Sequence, residues 1–163
     1  MQTTSARPAD DIEKIVETYG NMLFRICLVT LRNKADAEDA VQDTLLKYLR
    51  KAPSFKDTEH EKAWLIKVAV NQCRDICRAR KKRSEYERES QKASYENREN
   101  GQIIHALMTL PDKFKIVLFL HYVEEYKIAE IAKMIGKSAS AVKMRLQKGR
   151  KLLEEAYRKE FVQ

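Results

Sequence analysis

Residues 128–155 read IAEIAKMIGKSASAVKMRLQKGRKLLEE, and this stretch decides the fold of the C-terminal half of the chain. Apolar residues recur at helical spacing on both sides of Gly136, which predicts a short helix, a tight turn and a longer basic helix. Gly136 supplies the backbone freedom that the turn needs, and Ser138 can accept backbone N–H groups as the N-cap of the second helix. The pattern indicates a helix-turn-helix, a motif whose second helix enters the major groove of DNA.

The second helix of this motif has one apolar stripe and one free polar face. Its stripe of Val142, Leu146 and Leu153 packs against the first helix, so the opposite face must point outwards. The outward face carries Ser140, Lys143, Met144, Gln147 and Lys151, and it is flanked by Arg145, Lys148 and Arg150. Such a face suits base edges and phosphates, although an ordinary helical hairpin with a solvated basic face would show the same pattern.

The composition favours an all-α protein with a polyanionic partner. Only four Gly and three Pro interrupt 163 residues, so long helices are expected, and no alternation typical of strands is present. The formal net charge of +8 suits either nucleic acid or an anionic membrane, and its distribution must decide between them. The sequence lacks an apolar run long enough for a membrane span or a signal peptide, which indicates the cytoplasm.

Two helical patterns occupy the first 50 residues. The first spans residues 10–31, and its predicted core side contains Ile12, Ile15, Val16, Tyr19, Leu23, Ile26 and Cys27. The second spans residues 35–50, and its outer face is acidic in a chain that is basic overall. That face consists of Asp39, Gln42, Asp43 and Leu46, at positions i, i+3, i+4 and i+7. It would repel phosphates and instead fits a basic protein surface, with Leu46 as an apolar anchor.

A third helix is predicted at residues 61–83, after a polar connection that follows Pro53. Its buried stripe contains Leu65, Val68, Ala69, Cys73 and Ile76. The opposite face carries Lys67, Asn71, Arg74, Arg78, Lys81 and Lys82. A positive ridge that includes an amide indicates nucleic acid, although a lysine-rich helix end that complements the helix dipole would also carry these charges.

The chain divides into two small helical domains. Residues 84–101 lose apolar periodicity and become charged, which predicts a flexible linker. Periodicity resumes after the linker and restarts at Pro111, a residue suited to the first turn of a helix. The domains are therefore expected at residues 8–83 and 102–160.

Catalytic and metal-binding patterns are weak. Cys27, Cys73 and Cys77 are too few for a disulfide framework. Cys73 and Cys77 lie one helical turn apart with His60 upstream, so a metal site is one interpretation, but burial in an apolar stripe is the favoured one. Without a nucleophile beside a base or a phosphate-binding glycine loop, we expect no enzymatic activity, no cofactor, no metal and no small-molecule substrate.

Both halves together resemble a bacterial sigma factor of the extracytoplasmic-function (ECF) group. DAEDAVQDTLLKYLR, at residues 36–50, resembles the segment that grips the clamp of RNA polymerase. SFKDTEHEKAWLIKVAVNQCRD, at residues 54–75, resembles the segment that melts the promoter and reads its minus-ten element. Residues 110–153 resemble the domain that reads the minus-thirty-five element. The ordered set covers nearly the whole chain and is far more specific than any single motif.

The resemblance implies partners and site residues. Core RNA polymerase would bind Asp39, Gln42, Asp43 and Leu46. Minus-ten DNA would be opened and read by the loop of residues 55–64, with Phe55, Lys56 and Trp64, and by Lys67, Asn71, Arg74, Arg78, Lys81 and Lys82. Minus-thirty-five DNA would meet Ser140, Lys143, Met144, Arg145, Gln147, Lys148 and Arg150. An anti-sigma factor would wedge between or wrap around the two domains, and a membrane-anchored inhibitor would hold the protein at the membrane.

The sequence departs from the family pattern at two places. Glu125 and Lys127 replace a small residue and a Ser or Thr before the EIA helix, which weakens a helix cap. Ala141 and Met144 replace the usual Thr and Ser of the recognition helix, which changes the DNA sequence that is read.

Two other functional classes fit part of the pattern. A stand-alone helix-turn-helix regulator would bind duplex DNA without polymerase, and the acidic helix argues against it. An adaptor that uses its helices only for protein contacts would leave the two basic faces unexplained.

Overall fold

The computed structural model describes residues 9–82 and 101–162, and every regular element in these ranges is helical, as predicted. The helices are α1 (Ala9–Leu31), α2 (Lys34–Lys51), α3 (Thr58–Lys82), α4 (Gly101–Met108), α5 (Asp112–Leu118), α6 (Ile128–Ile135) and α7 (Ala139–Phe161), and a π-helical segment, Phe119–Val123, continues α5. The predicted linker lies outside the described residues except for Gly101, which belongs to α4. Within the described ranges, no helix combines the length and apolar character that a membrane span requires.

The N-terminal domain, α1 to α3, is organised around α1. Leu23, Ile26 and Cys27 are fully buried against the other two helices. The prediction for Val16 was wrong, because its side chain is 46% exposed. The predictions for Ile15 and Tyr19 are confirmed, since these two buried residues are four apart and therefore on one face.

One arginine joins all three helices of this domain. The guanidinium of Arg80, on α3, donates to the backbone carbonyl of Leu31 at the end of α1 over 2.7 Å. It also pairs with the carboxylate of Asp36 in the first turn of α2. Asn33 is the N-cap of α2 and accepts from the Asp36 backbone N–H over 2.9 Å. These charge-assisted contacts set the α1–α2 corner over α3.

The third helix begins earlier than its apolar pattern indicates. α3 begins at Thr58 because the Asp57 carboxylate accepts from the His60 backbone N–H over 2.8 Å, and the first turn is acidic. The prediction of a non-helical loop at residues 55–64 was therefore wrong for most of its length. Residues 58–64 are helical, and Trp64 lies on α3. The first turn of α3 is stabilised by polar capping interactions and contains no apolar stripe, so the apolar pattern of the sequence could not predict it.

The predicted helix-turn-helix is present, with α6 and α7 on either side of the turn. Gly136 ends α6 in the left-handed conformation, at φ +66°, and Ser138 caps α7 by accepting from the Ala141 backbone N–H over 3.1 Å. At the start of α6, Lys127 offers no hydroxyl cap, but its backbone N–H donates to the Glu130 carboxylate over 2.9 Å. Half of a capping box thus replaces the missing Ser or Thr.

A glycine sets the distance between α7 and α5. Gly149 is buried in α7, and a Cβ added there would lie 3.1 Å from the Leu118 Cδ1 atom and 3.4 Å from the Phe114 Cβ atom. A side chain at this position would require Leu118 to shift by a few tenths of an ångström, so the glycine favours the close packing of α7 on α5.

The two domains share one apolar core instead of standing apart. α3 packs against α6, and α1 packs against α5 and the π-helical segment. Ile66 and Val70 of α3 are buried although they lie outside the predicted stripe of that helix. The sequence analysis found one apolar face on α3, whereas the helix has two.

Alanine substitutions at two glycines should change the free energy of unfolding in opposite directions. We expect Gly136→Ala to lower the free energy of unfolding by about 1 kcal/mol, because its Cβ meets no atom but forces the left-handed conformation. Gly20→Ala, inside α1, should raise it by about 0.5–1 kcal/mol, since its Cβ makes only an ordinary contact with Val16. Urea unfolding followed by circular dichroism measures both values. Shifts of the same sign would contradict the argument.

Candidate nucleic-acid and protein interfaces

The predicted reading face of α7 is open to solvent. Val142 and Leu146 are buried against the rest of the domain, which turns the other side of the helix outwards. The exposed residues on that side are Ser140, Lys143, Met144, Gln147, Lys148, Arg150 and Lys151, whereas Arg145 is half-buried. Met144 is 70% exposed, whereas Met22, Met108 and Met134 are buried. Its exposure suits apolar contact with a partner such as a thymine methyl group.

Two of the basic side chains that flank this face are held by aromatic residues. The Arg150 guanidinium donates to the Tyr122 hydroxyl over 2.8 Å, and the Lys148 ammonium lies 5.6 Å from the centre of the Phe114 ring. The Lys113 ammonium approaches the same ring at 5.0 Å. Contacts of this kind reduce the conformational entropy that a side chain loses when it binds a phosphate.

The sequence analysis missed Lys113 because it belongs to another helix. It lies at the start of α5 and lines a groove between α5 and α7 together with Phe114, Met144, Arg145, Gln147, Lys148 and Lys151. Four of these residues are cationic, so the groove is a continuation of the basic face of α7. Only the packing of α5 against α7 brings Lys113 to this surface.

The acidic face of α2 is exposed as a unit. Asp39, Gln42 and Asp43 are exposed, and Leu46 beside them is 45% exposed. On the other side of α2, Ala37, Ala40, Thr44 and Tyr48 are buried, and the Thr44 hydroxyl donates to the Ala40 carbonyl over 2.7 Å. The face is therefore fixed by the core beneath it and is free for a partner.

Four aromatic rings meet where the α2–α3 connection joins α3. The Phe55 ring lies 5.9 Å from Trp64, 6.2 Å from Tyr48 and 5.3 Å from His60, measured between ring centres. The Tyr48 hydroxyl donates to the Glu61 carboxylate over 2.9 Å, which fixes its ring. Phe55 and Trp64 are half-buried and keep part of each ring accessible. Tyr48 and His60 were not predicted for this site, because a helix pattern does not show which rings will meet.

The basic ridge of α3 is only partly free. Lys67, Asn71, Arg78 and Lys81 are exposed, as is Lys56 in the preceding connection. Arg74 is half-buried, because its guanidinium donates to the Ile135 carbonyl at the end of α6 over 3.2 Å. The prediction that Arg74 is part of the exposed ridge was therefore wrong, because its side chain contacts the C-terminal domain. The side chain of Lys82 lies outside the described part of the chain.

The cysteines behave as core residues. Cys27 and Cys73 are buried free thiols, and a hydrogen bond with Cys27, followed by burial, raises the pKa of the Cys73 thiol. Burial, followed by the nearby Asp112 carboxylate, raises the pKa of Cys77 to about 11. Thiols kept protonated at neutral pH are poor metal ligands and poor nucleophiles. His60 instead packs against Phe55, and its Nδ1 atom accepts from the Lys56 backbone N–H over 3.3 Å.

Comparison with known proteins assigns the chain to a family. The model of sigma-70 region 2 matches residues 15–83, and that of sigma-70 region 4 matches residues 100–153. The chain belongs to the ECF group of sigma factors. As such it binds core RNA polymerase and directs transcription initiation at specific promoters.

Related proteins support the assignment to this family along most of the chain. The chain is 28% identical to the RNA polymerase sigma factor SigV of Bacillus subtilis, over 84% of this chain and 85% of that one. It is 25% identical to the ECF sigma factor SigW of the same organism, over 91% and 90%. The sigma factor RpoE, in complex with the anti-sigma factor NepR from Bartonella quintana, has the same fold at a TM-score of 0.75 and 21% identity, over 93% and 99%.

The contacts of α7 predict which of its residues read base sequence and which contact phosphates. Replacing Lys148 with Ala should weaken promoter binding on all sequences and lower the salt slope by about one unit. Replacing Lys143 or Gln147 with Ala should change base preference at single positions, because these side chains leave the helix at the centre of its outward face. Selection from a promoter library with holoenzyme containing each variant measures the difference.

Lys159→Ala, at an exposed site near the end of α7, is the control for loss of one positive charge. Tyr122→Phe should mimic a mild phosphate-contact defect, since it removes only the hydroxyl that holds Arg150. An identical change of base preference in all variants would show that the reading face is misplaced.

Proposed function

We propose that the two domains divide promoter recognition between them. The N-terminal domain, residues 8–83, docks on core polymerase and opens and reads the minus-ten element. The C-terminal domain, residues 102–160, reads the minus-thirty-five element, and residues 84–101 connect them. The observation that carries this proposal is the separation of charge, because an acidic face on α2 and basic faces on α3 and α7 are exposed on one chain.

The proposed polymerase site is the face of Asp39, Gln42, Asp43 and Leu46. Its carboxylates would steer the domain toward a basic surface, and Leu46 would bury apolar area at the centre of the contact. A stand-alone DNA-binding regulator has no use for such a face, because it repels phosphates. This is the argument for a factor that acts together with polymerase.

The proposed minus-ten site combines the aromatic cluster with the α3 ridge. Partly accessible rings at Phe55 and Trp64 could stack on a base that has left the duplex, while Lys56, Lys67 and Asn71 follow its strand. The other proposed contacts are Arg74, Arg78, Lys81 and Lys82. Extrusion of a base costs a few kcal/mol, which stacking and phosphate contacts offset.

We also propose that an anti-sigma factor controls this protein, as in the related complexes of RpoE with NepR and of CnrH with the cytosolic domain of CnrY. We place the protein in the cytoplasm, where core polymerase and chromosomal DNA are found, with the option of retention at the membrane by an anchored inhibitor. The protein would act there as an initiation factor and not as an enzyme, because polymerase supplies the chemistry.

Charge reversal on α2 tests the polymerase site. We expect Asp39→Lys combined with Asp43→Lys to weaken binding to core polymerase at least tenfold, because two attractive contacts become repulsive. The matched control is Glu13→Lys with Glu17→Lys, which changes the net charge equally at two exposed positions of α1 with the same spacing. Pull-down with core enzyme, together with circular dichroism, gives the answer. Equal binding of core polymerase by both double variants would contradict the proposed polymerase site on α2.

Promoter melting tests the minus-ten site. Replacing Phe55 or Asn71 with Ala should reduce permanganate reactivity of unpaired thymines in the promoter while core binding stays intact. Glu13→Ala, at an exposed position of α1 outside both proposed sites, serves as the control. Unchanged melting would contradict the assignment. A footprint on duplex promoter DNA that forms equally well without polymerase would favour the stand-alone regulator instead.

A further inference from the structure

We propose that His60 determines base specificity at one position of the minus-ten element, where its imidazole donates a hydrogen bond to a carbonyl oxygen of an extruded base. The proposal rests on the proposed minus-ten site and deepens it, because it names the group that distinguishes one base from another. Adenine is the only DNA base without a carbonyl group, so the protein selects against adenine at that position.

His60 lies in the first turn of α3, beside the aromatic cluster. Its ring meets the Phe55 ring edge to face, with ring centres 5.3 Å apart and ring planes at 87°. Trp64 follows four residues later and therefore lies on the same side of the helix, 5.9 Å from Phe55. The imidazole is exposed, whereas the other two rings are half-buried. A base that stacks on the accessible part of either ring would have the edge of the imidazole within reach.

The backbone fixes which ring nitrogen of His60 carries the proton. The Lys56 backbone N–H donates to the Nδ1 atom over 3.3 Å, and an amide N–H can only be the donor in this contact. The Nδ1 atom therefore holds no proton, and the neutral ring carries its proton on Nε2. Among the described residues, none accepts a hydrogen bond from that Nε2–H group. The imidazole thus offers one donor, in a fixed orientation, to a partner from outside the chain.

The same contacts cap α3, but capping alone does not require histidine. The Asp57 carboxylate accepts from the His60 backbone N–H over 2.8 Å, while the His60 side chain accepts from the backbone of Lys56. This reciprocal pattern resembles a capping box, in which the third residue of the helix is normally Glu or Gln. Either of those side chains could accept the same backbone N–H. Histidine adds the Nε2–H donor and a ring edge against Phe55.

The charges around His60 favour a base over a phosphate as its partner. Asp57, Glu59 and Glu61 place three carboxylates at the start of α3. Carboxylates repel the phosphate backbone, but they do not repel the uncharged edge of a base. Phosphates instead meet exposed cations further along the ridge, beginning at Lys67. A strand that follows the ridge would therefore present a base, and not a phosphate, to the first turn of α3.

A single neutral donor selects among bases by the acceptors that each base offers. Thymine, cytosine and guanine each carry a carbonyl oxygen, whose lone pairs accept readily from an N–H group. Adenine offers only ring nitrogens, and those on its base-pairing and major-groove edges adjoin an amino group that is itself a donor. That amino group would face the positively polarised C–H groups on either side of the His60 Nε2 atom. A carbonyl-bearing base is therefore the better partner.

Two substitutions at the same position separate the donor from the cap. His60→Glu keeps an acceptor for the Lys56 N–H but presents no donor, whereas His60→Gln keeps both groups. Thr58→Glu, at an exposed position of the same turn, adds the same negative charge as His60→Glu while it leaves the imidazole in place. Circular dichroism and urea unfolding check that all three variants keep the fold.

Binding of holoenzyme to single-stranded promoter oligonucleotides measures the base preference, with each of the four bases placed in turn at each minus-ten position. At one position the wild type should bind a carbonyl-bearing base about fivefold more tightly than adenine, the value of one ordinary hydrogen bond. His60→Glu should lose most of this ratio, whereas His60→Gln and Thr58→Glu should keep it. Exchange of the carbonyl oxygen for sulfur, a weaker acceptor, should weaken binding by the wild type but not by His60→Glu.

Nitrogen-15 magnetic resonance of the free protein should show the His60 ring protonated on Nε2. A ring protonated on Nδ1, or the wild-type base ratio in His60→Glu, would overturn the proposal. Equal loss of the ratio in Thr58→Glu and His60→Glu would trace the effect to charge and would also overturn it. A wild type without base preference at any minus-ten position would contradict the proposed minus-ten site itself. A preference that survives in His60→Glu would leave that site standing and exclude only the role of His60.

Discussion

The arrangement of the molecule depends on α3, because two of its three faces are buried against different partners. Leu65 and Ala69 pack within the N-terminal domain, whereas Ile66 and Val70 lie on the face that meets α6. The third face keeps the exposed cations and Asn71. A helix can serve two cores only when apolar residues occupy most of its circumference. The helix proposed to open DNA is therefore also the support for the domain proposed to read the minus-thirty-five element.

The protein carries acidic and basic surfaces on different helices, and this difference in charge orients it toward different partners. A basic chain is attracted to DNA everywhere along its surface, and this attraction is independent of sequence. The acidic face of α2 interrupts this attraction, so this side of the N-terminal domain repels phosphates and suits a basic protein surface. The core fixes the orientation of this acidic face, since Ala37, Ala40 and Tyr48 are buried on the opposite side of α2.

Short polar contacts define where helices begin and end. Asp57, Ser138 and Glu130 each accept a backbone N–H at a helix start. Such contacts are worth about 1 kcal/mol each, little compared with the core, but they set the register of the residues that follow. The proposed reading face of α7 points outwards because Ser138 starts the helix and Gly149 lets it approach α5. Local capping and close packing thus act together on the same site.

By itself, the sequence determined the helical class, the turn at Gly136, the cap at Ser138 and the exposure of the α2 and α7 faces. These features follow from periodicity and from local backbone chemistry, which the order of residues contains directly. Early helical residues such as Thr58 escaped prediction because polar caps leave no apolar period. Only the tertiary structure decided the positions of Lys115, Arg74 and Lys113. Their surroundings come from residues distant in the chain, and no local pattern reveals that a lysine is buried between two domains or that an arginine is already engaged.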